Sequence, residues 1–179
     1  MKILIILLFL LSCIQLNAQK INWMSMDSAL AAQEEEPKKI MVDVYTTWCK
    51  PCKIMDERTF QNQKLANYVN RNFYAVKFNA EGTEEVTYQG FTYTNPNFVE
   101  GRGDDQRNNQ HFFAHAMKVN AYPTVVFFDE ESDLISPVKG YKTPEQLEVF
   151  LKMIATDDYK EVTTKESWKE YKADFESTF

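Results

Sequence analysis

Two cysteines stand two residues apart in the run Trp48-Cys49-Lys50-Pro51-Cys52. On a helix this spacing puts both sulfurs on one side, a turn apart, where one can attack a mixed disulfide held by the other. A bond between residues so close in sequence closes a tiny loop and restricts little of the unfolded chain. Stability is therefore a poor reason for the pair, and reactivity a better one. Cys49 follows the apolar run 40–45 and opens a segment, 49–58, that reads as a helix. The N–H groups and partial positive charge of a helix N-terminus favour thiolate over thiol, and Lys50 and Lys53 add positive charge. Pro51 takes an early helical position, where its missing donor costs nothing. The chemistry implied is thiolate exchange: Cys49 attacks a substrate disulfide, then Cys52 displaces the substrate. The reverse sequence oxidises a dithiol.

The same pair could supply half of a zinc site, which wants four ligands. The further candidates are the two histidines, His111 and His115, spaced i, i+4 on a helix read over 109–118. Phe112, Phe113, Ala116 and Met117 set the buried face of that helix and leave both histidines on its wetter side. No metal is expected, and no cofactor beyond a redox-active Cys49–Cys52 disulfide.

The elements that must position these residues follow from pattern. Residues 25–36 read as a helix with Met26, Ala29, Leu30 and Gln33 on one side, stopped by Pro37. Residues 40–45 form a buried strand, 62–70 a helical segment and 73–78 the next strand. Two strands, 124–128 and 134–138, meet across a polar turn. Thr143, Pro144 and Gln146 open a helix with a capping box. Alternating strands and helices predict a parallel core, and the short turn adds an antiparallel hairpin, giving a mixed sheet with helices on both faces. Residues 81–108 look like an insertion, in which 86–88 and 91–93 could pair across Gln89-Gly90. Thr163-Thr164-Lys165-Glu166 reads as a second capping box. It opens a C-terminal helical extension, within 156–179, whose stripe of Trp168, Tyr171 and Phe175 is expected to pack on its own domain.

Several separated positions now agree with one known pattern. Val42-Asp43-Val44 precedes Cys49, Ala75-Val76-Lys77-Phe78-Asn79 forms the next strand, Tyr122-Pro123-Thr124 follows, and Gly140 precedes the capped helix. Over roughly residues 20–155 the chain resembles the thioredoxin superfamily. It is most similar to the exported thioredoxin-like reductases and to the periplasmic C-terminal domain of the membrane thiol–disulfide interchange protein. The resemblance implies an α/β thioredoxin fold with the insertion ahead of a cis-proline. It places a buried carboxylate, Asp43, behind Cys52, with Lys77 beside it and Pro123 facing the cysteines. Desolvation would raise the Asp43 pKa, Lys77 would partly oppose this, and the carboxylate could take the Cys52 proton. A cis-proline at 123 would leave the Tyr122 backbone free to pair with an extended substrate. Trp48, Tyr122 and Thr124 are then the expected substrate-binding residues. Tyr122 is larger than the family's usual aliphatic residue, and Lys50-Pro51 replaces its common Gly-Pro.

The chain has 179 residues and a net charge of −6. That size suits one domain of residues 19–155 plus the extension. The acidic balance argues against nucleic acid. Lys2 followed by an apolar run over 3–11 reads as a secretory signal, cleaved after Ala18. The rival is a lipoprotein signal, with Cys13 carrying lipid and anchoring the protein to a membrane facing the periplasm. Either reading takes the protein out of the reducing cytoplasm and into a compartment where disulfides persist. The expectation is a periplasmic reductase or exchange enzyme for protein thiols and disulfides. By resemblance, its electron donor is a membrane thiol–disulfide protein. A disulfide oxidase or isomerase, a non-enzymatic protein-binding module and a metal carrier are the alternatives.

Overall fold

The computed structural model describes residues 20–179, so the expected signal, its expected cleavage after Ala18 and Cys13 lie outside the described residues. The elements in order are β1 (Trp23–Met24), α1 (Met26–Glu35), β2 (Lys39–Tyr45), α2 (Lys50–Arg58), α3 (Gln63–Asn72) and β3 (Phe73–Asn79). After them come β4 (Val86–Tyr88), β5 (Phe91–Tyr93), α4 (Phe112–Ala116), β6 (Thr124–Phe128), β7 (Leu134–Lys139), α5 (Pro144–Ala155) and α6 (Lys165–Asp174). The main sheet runs β1-β3-β2-β6-β7, with β1, β3 and β2 parallel and β6 and β7 antiparallel. β4 and β5 pair as a separate hairpin inside the insertion.

Alternation along the central strands builds two cores. Met41, Ala75, Val125 and Phe127 face α2, α3 and α5, against Met55, Leu65, Val69, Leu147 and Leu151. Ile40, Val42, Val44, Val76, Phe78 and Val126 face α1 and α4, against Met26, Ala29, Phe113, Ala114 and Met117. The mixed, doubly covered sheet is thus present. The edge strand β1 has no sequence signature, because two residues cannot display a period.

Two details correct the sequence reading. The helix expected over 109–118 is only the five residues of α4, and His111 is its N-cap rather than a residue of its wet face. His111 is fully buried. Its Nδ1 accepts from the Phe113 N–H (3.0 Å), its Nε2 meets the Glu84 carbonyl (2.8 Å), and its ring stands edge-on to Phe78. Phe112, assigned to the core, is instead exposed. The second capping box is shifted by one residue: Thr164, not Thr163, is the N-cap, and Ser167 closes the box. The aromatic stripe of α6 packs on the chain itself, with Trp168 5.0 Å from the Phe150 ring of α5. Among the described residues no helix is long and apolar enough to cross a membrane.

Candidate active site

β2 delivers the chain to the head of α2 through a tight turn, in which the Cys49 N–H donates to the Thr46 carbonyl (3.2 Å). Cys49 is the N-cap of α2, and its Sγ accepts from the Cys52 N–H at 3.2 Å. Helical spacing brings the two Cα atoms to 5.3 Å and the sulfurs into a disulfide. Both are enclosed, Cys49 at 1% and Cys52 at 4% exposure. A cavity of about 220 Å³ opens beside Cys52, lined by Tyr45, Thr46, Thr47, Lys53, Asp56 and Asp104.

The sheet register places the residues behind the disulfide. Asp43 stands two residues after Met41, hence on the α2 face, and pairs in register with Lys77 of β3. Asp43 is 2% exposed, and among the described residues its Oδ1 has no hydrogen-bond partner. Desolvation pushes its pKa up to about 7; the Lys77 charge pulls it down and Asp56 pushes it up. The Lys77 ammonium lies 3.9 Å from Asp43 Oδ2 but is hydrogen-bonded to Asp56, and it sits over the rings of Tyr45 and Trp23. The expected lysine neighbour is therefore shared between two carboxylates. Asp56 lies i+4 from Cys52, a spacing on the same helix face that could have revealed it.

The Tyr122–Pro123 peptide is cis. The Pro123 carbonyl accepts from the Gly140 N–H (2.8 Å), tying the start of β6 to the end of β7. Tyr122 stands edge-on to Trp48, with ring centroids 5.9 Å apart, and its hydroxyl accepts from Gln110 Nε2. Burial, with the Glu81 charge adding to it, pushes the Tyr122 pKa up to about 12, so it remains a neutral phenol. Thr124, expected at the substrate surface, turns its side chain inward. It is fully buried, and its hydroxyl donates to the Ala121 carbonyl.

The insertion supplies neighbours that the sequence did not reveal. Trp48 Nε1–H donates to Glu81 Oε2 at 2.8 Å, and the Arg107 guanidinium lies 4.5 Å from the Trp48 ring centroid. Glu81 stands two residues past β3, and Arg107 joins it only through the closure of a long loop. No local pattern signals either contact. The described residues hold no group of three or more His, Cys, Asp or Glu side chains that could bind a metal.

Residues 26–155 match the family described as a thioredoxin-like domain. The chain belongs to the thioredoxin-like domain family of the thioredoxin superfamily, and it carries a bonded CxxC cysteine pair. It is 26% identical to the thiol:disulfide interchange protein DsbD of Pectobacterium atrosepticum over 73% of this chain, which spans only 18% of that protein. It is also 26% identical to the thiol-disulfide oxidoreductase ResA of Oceanobacillus iheyensis, over 72% of this chain and 63% of that one. A thioredoxin-fold protein from Helicobacter pylori superposes with a TM-score of 0.59 at 18% identity, covering 89% of this chain and 91% of the other. That likeness concerns the fold alone.

Proposed function

We propose that this protein is an exported thiol–disulfide oxidoreductase that reduces or exchanges protein disulfides through Cys49 and Cys52. The observation that carries the reading is the bonded cysteine pair at the head of α2, backed by a buried carboxyl whose pKa is raised to about 7. In the reduced protein the Cys49 thiolate attacks one sulfur of a substrate disulfide, and the other sulfur leaves as a thiolate. Asp43 takes the proton of Cys52, directly or through one water. The Cys52 thiolate then attacks Cys49 Sγ, closing the 49–52 bond and releasing the second substrate sulfur. Substrate gains two electrons and the enzyme loses two. A further turnover needs a dithiol donor, for which a membrane thiol–disulfide protein is the proposed partner. Trp48 and the Tyr122 backbone at Pro123 form the proposed substrate surface. The periplasm is the proposed compartment, reached by a cleaved signal or held there by lipid on Cys13.

The test is reduction of a protein disulfide such as insulin by the signal-free protein, with dithiothreitol as donor. The wild type is expected to accelerate it, Cys49→Ser to abolish the acceleration, and Cys52→Ala to accumulate a mixed disulfide through Cys49. Full activity in Cys49→Ser would end the reading. Redox titration against glutathione decides direction: a potential near that of the strong oxidants, about −120 mV, would replace reductase by oxidase.

A further inference from the structure

The insertion returns toward the sheet across the indole that precedes Cys49. Arg107 stacks on Trp48 at 4.5 Å, and its own carbonyl accepts from Arg102 Nη1 at 2.6 Å. The next residue, Asn108, donates its backbone N–H to Glu81 Oε2 at 2.6 Å, the same oxygen that takes the Trp48 indole N–H. Loop, carboxylate and indole are therefore one connected unit, and Arg107 is the cation that this unit holds on the ring of the residue before Cys49.

The Arg107 charge is uncommitted. The side chain is exposed, and among the described residues it joins no ion pair. Lys50 and Lys53, on the first turn of α2, are exposed and equally without an ion-pair partner. Of the nearby acids, Asp56 is paired with Lys77, whereas Glu81 accepts its two hydrogen bonds from neutral N–H groups and keeps its charge. Asp104 lines the cavity beside Cys52 together with Lys53, and it also lines a second cavity bounded by Glu81 and Asn108. In a molecule with a net charge of −6, Arg107 is thus an exposed cation held on the Trp48 ring, among groups of both signs that include Glu81 and Asp104.

We propose that Arg107 is a specificity-determining residue, selecting substrates with an acidic side chain next to the reactive cysteine. This rests on the dithiol function proposed above. A guanidinium already ordered on an aromatic face loses little freedom when it meets a carboxylate, and its planar fork suits that partner. Its charge also steers approach over about a Debye length, against the repulsion of the acidic molecule as a whole. Lys50 and Lys53 reinforce the field but are free side chains. Arg107 alone among the three is held by the insertion.

The test uses two otherwise identical peptides, each with an internal disulfide flanked by Glu or by Lys, and hydroxyethyl disulfide as a neutral small substrate. Second-order rates of oxidation of the reduced protein are measured at low and at high ionic strength. In the wild type the Glu-flanked peptide is expected to react about tenfold faster than the Lys-flanked one at low ionic strength, the gap closing with salt. Arg107→Gln brings the ratio toward unity, and Arg107→Glu reverses it. Equal wild-type rates for the two peptides, or a ratio unmoved by Arg107→Glu, would overturn the proposal while hydroxyethyl disulfide is still reduced. Failure of the wild type on all three disulfides would overturn the dithiol reading and this proposal with it.

Discussion

Asp43 is costly to ionise where it lies, between two valines in the middle of the sheet with one oxygen unpartnered among the described residues. Its ordinary pKa of 3.8 rises to about 7 in the folded chain. Between those values the native state keeps a proton that the unfolded chain has released, so this group's contribution to stability is full below about pH 4 and is lost as pH rises through 7. Asp43→Asn is expected to abolish that decline, giving melting temperatures that fall less than the wild type's from pH 5 to pH 8. The same variant loses the proton acceptor for Cys52, and the closing of the 49–52 bond is expected to slow about a hundredfold at neutral pH in single-turnover quench experiments. Parallel melting profiles for the two proteins would show that Asp43 is not the buried base. Lys77→Met removes the cation that favours the charged carboxylate, so the pH profile of the same step is expected to shift upward.

At the scale of elements, what the sequence disclosed depended on how many residues carried each pattern. β2, β3 and β6 are long apolar strands, and Thr143 with Gln146 closes the capping box that opens α5 as expected. The placement of Asp43 behind Cys52 was legible only through the resemblance to the thioredoxin superfamily, in which Val42-Asp43-Val44 stands at the matching distance before Cys49. α4 was not legible, because five residues make less than two turns and cannot fix which side is wet; His111 became a buried cap. Glu81, Arg107 and the tail contacts of Glu148 depend on long-range closure, which leaves no local trace. α4 provides a prediction of its own. Burial lowers the His111 pKa, so its stabilising contribution is present above the ordinary value near 6.5 and lost as pH falls below it. His111→Ala leaves the Phe113 N–H without its acceptor, and an expected loss of about 1–3 kcal/mol is measurable by chemical denaturation at pH 7.5.

At the scale of the whole molecule, the disulfide lies at one end of the sheet, while the last residues are fastened to α5 around a buried acid. Glu148 is fully buried and accepts from Ser177, Thr178 and Phe179 as well as from Lys152. Burial alone would raise its pKa, but these donors outweigh it and hold the carboxyl at about 2. Its stabilisation is therefore present above pH 4.5 and lost as pH falls toward 2. Glu148→Gln is expected to cost about 1.5–3 kcal/mol and to free residues 177–179 for faster amide exchange, with disulfide exchange at Cys49 retained. Unchanged exchange in that tail would contradict the anchoring role.

The most direct measurement is the pH dependence of alkylation of the reduced protein, with Cys49 and Cys52 followed separately by mass spectrometry. Cys49 is expected to react first, with a midpoint well below the free-thiol value of about 8.5, while Cys52 stays protected. A Cys49 that titrates like free cysteine, or reacts no faster than Cys52, would contradict the assignment of a nucleophile at the head of α2.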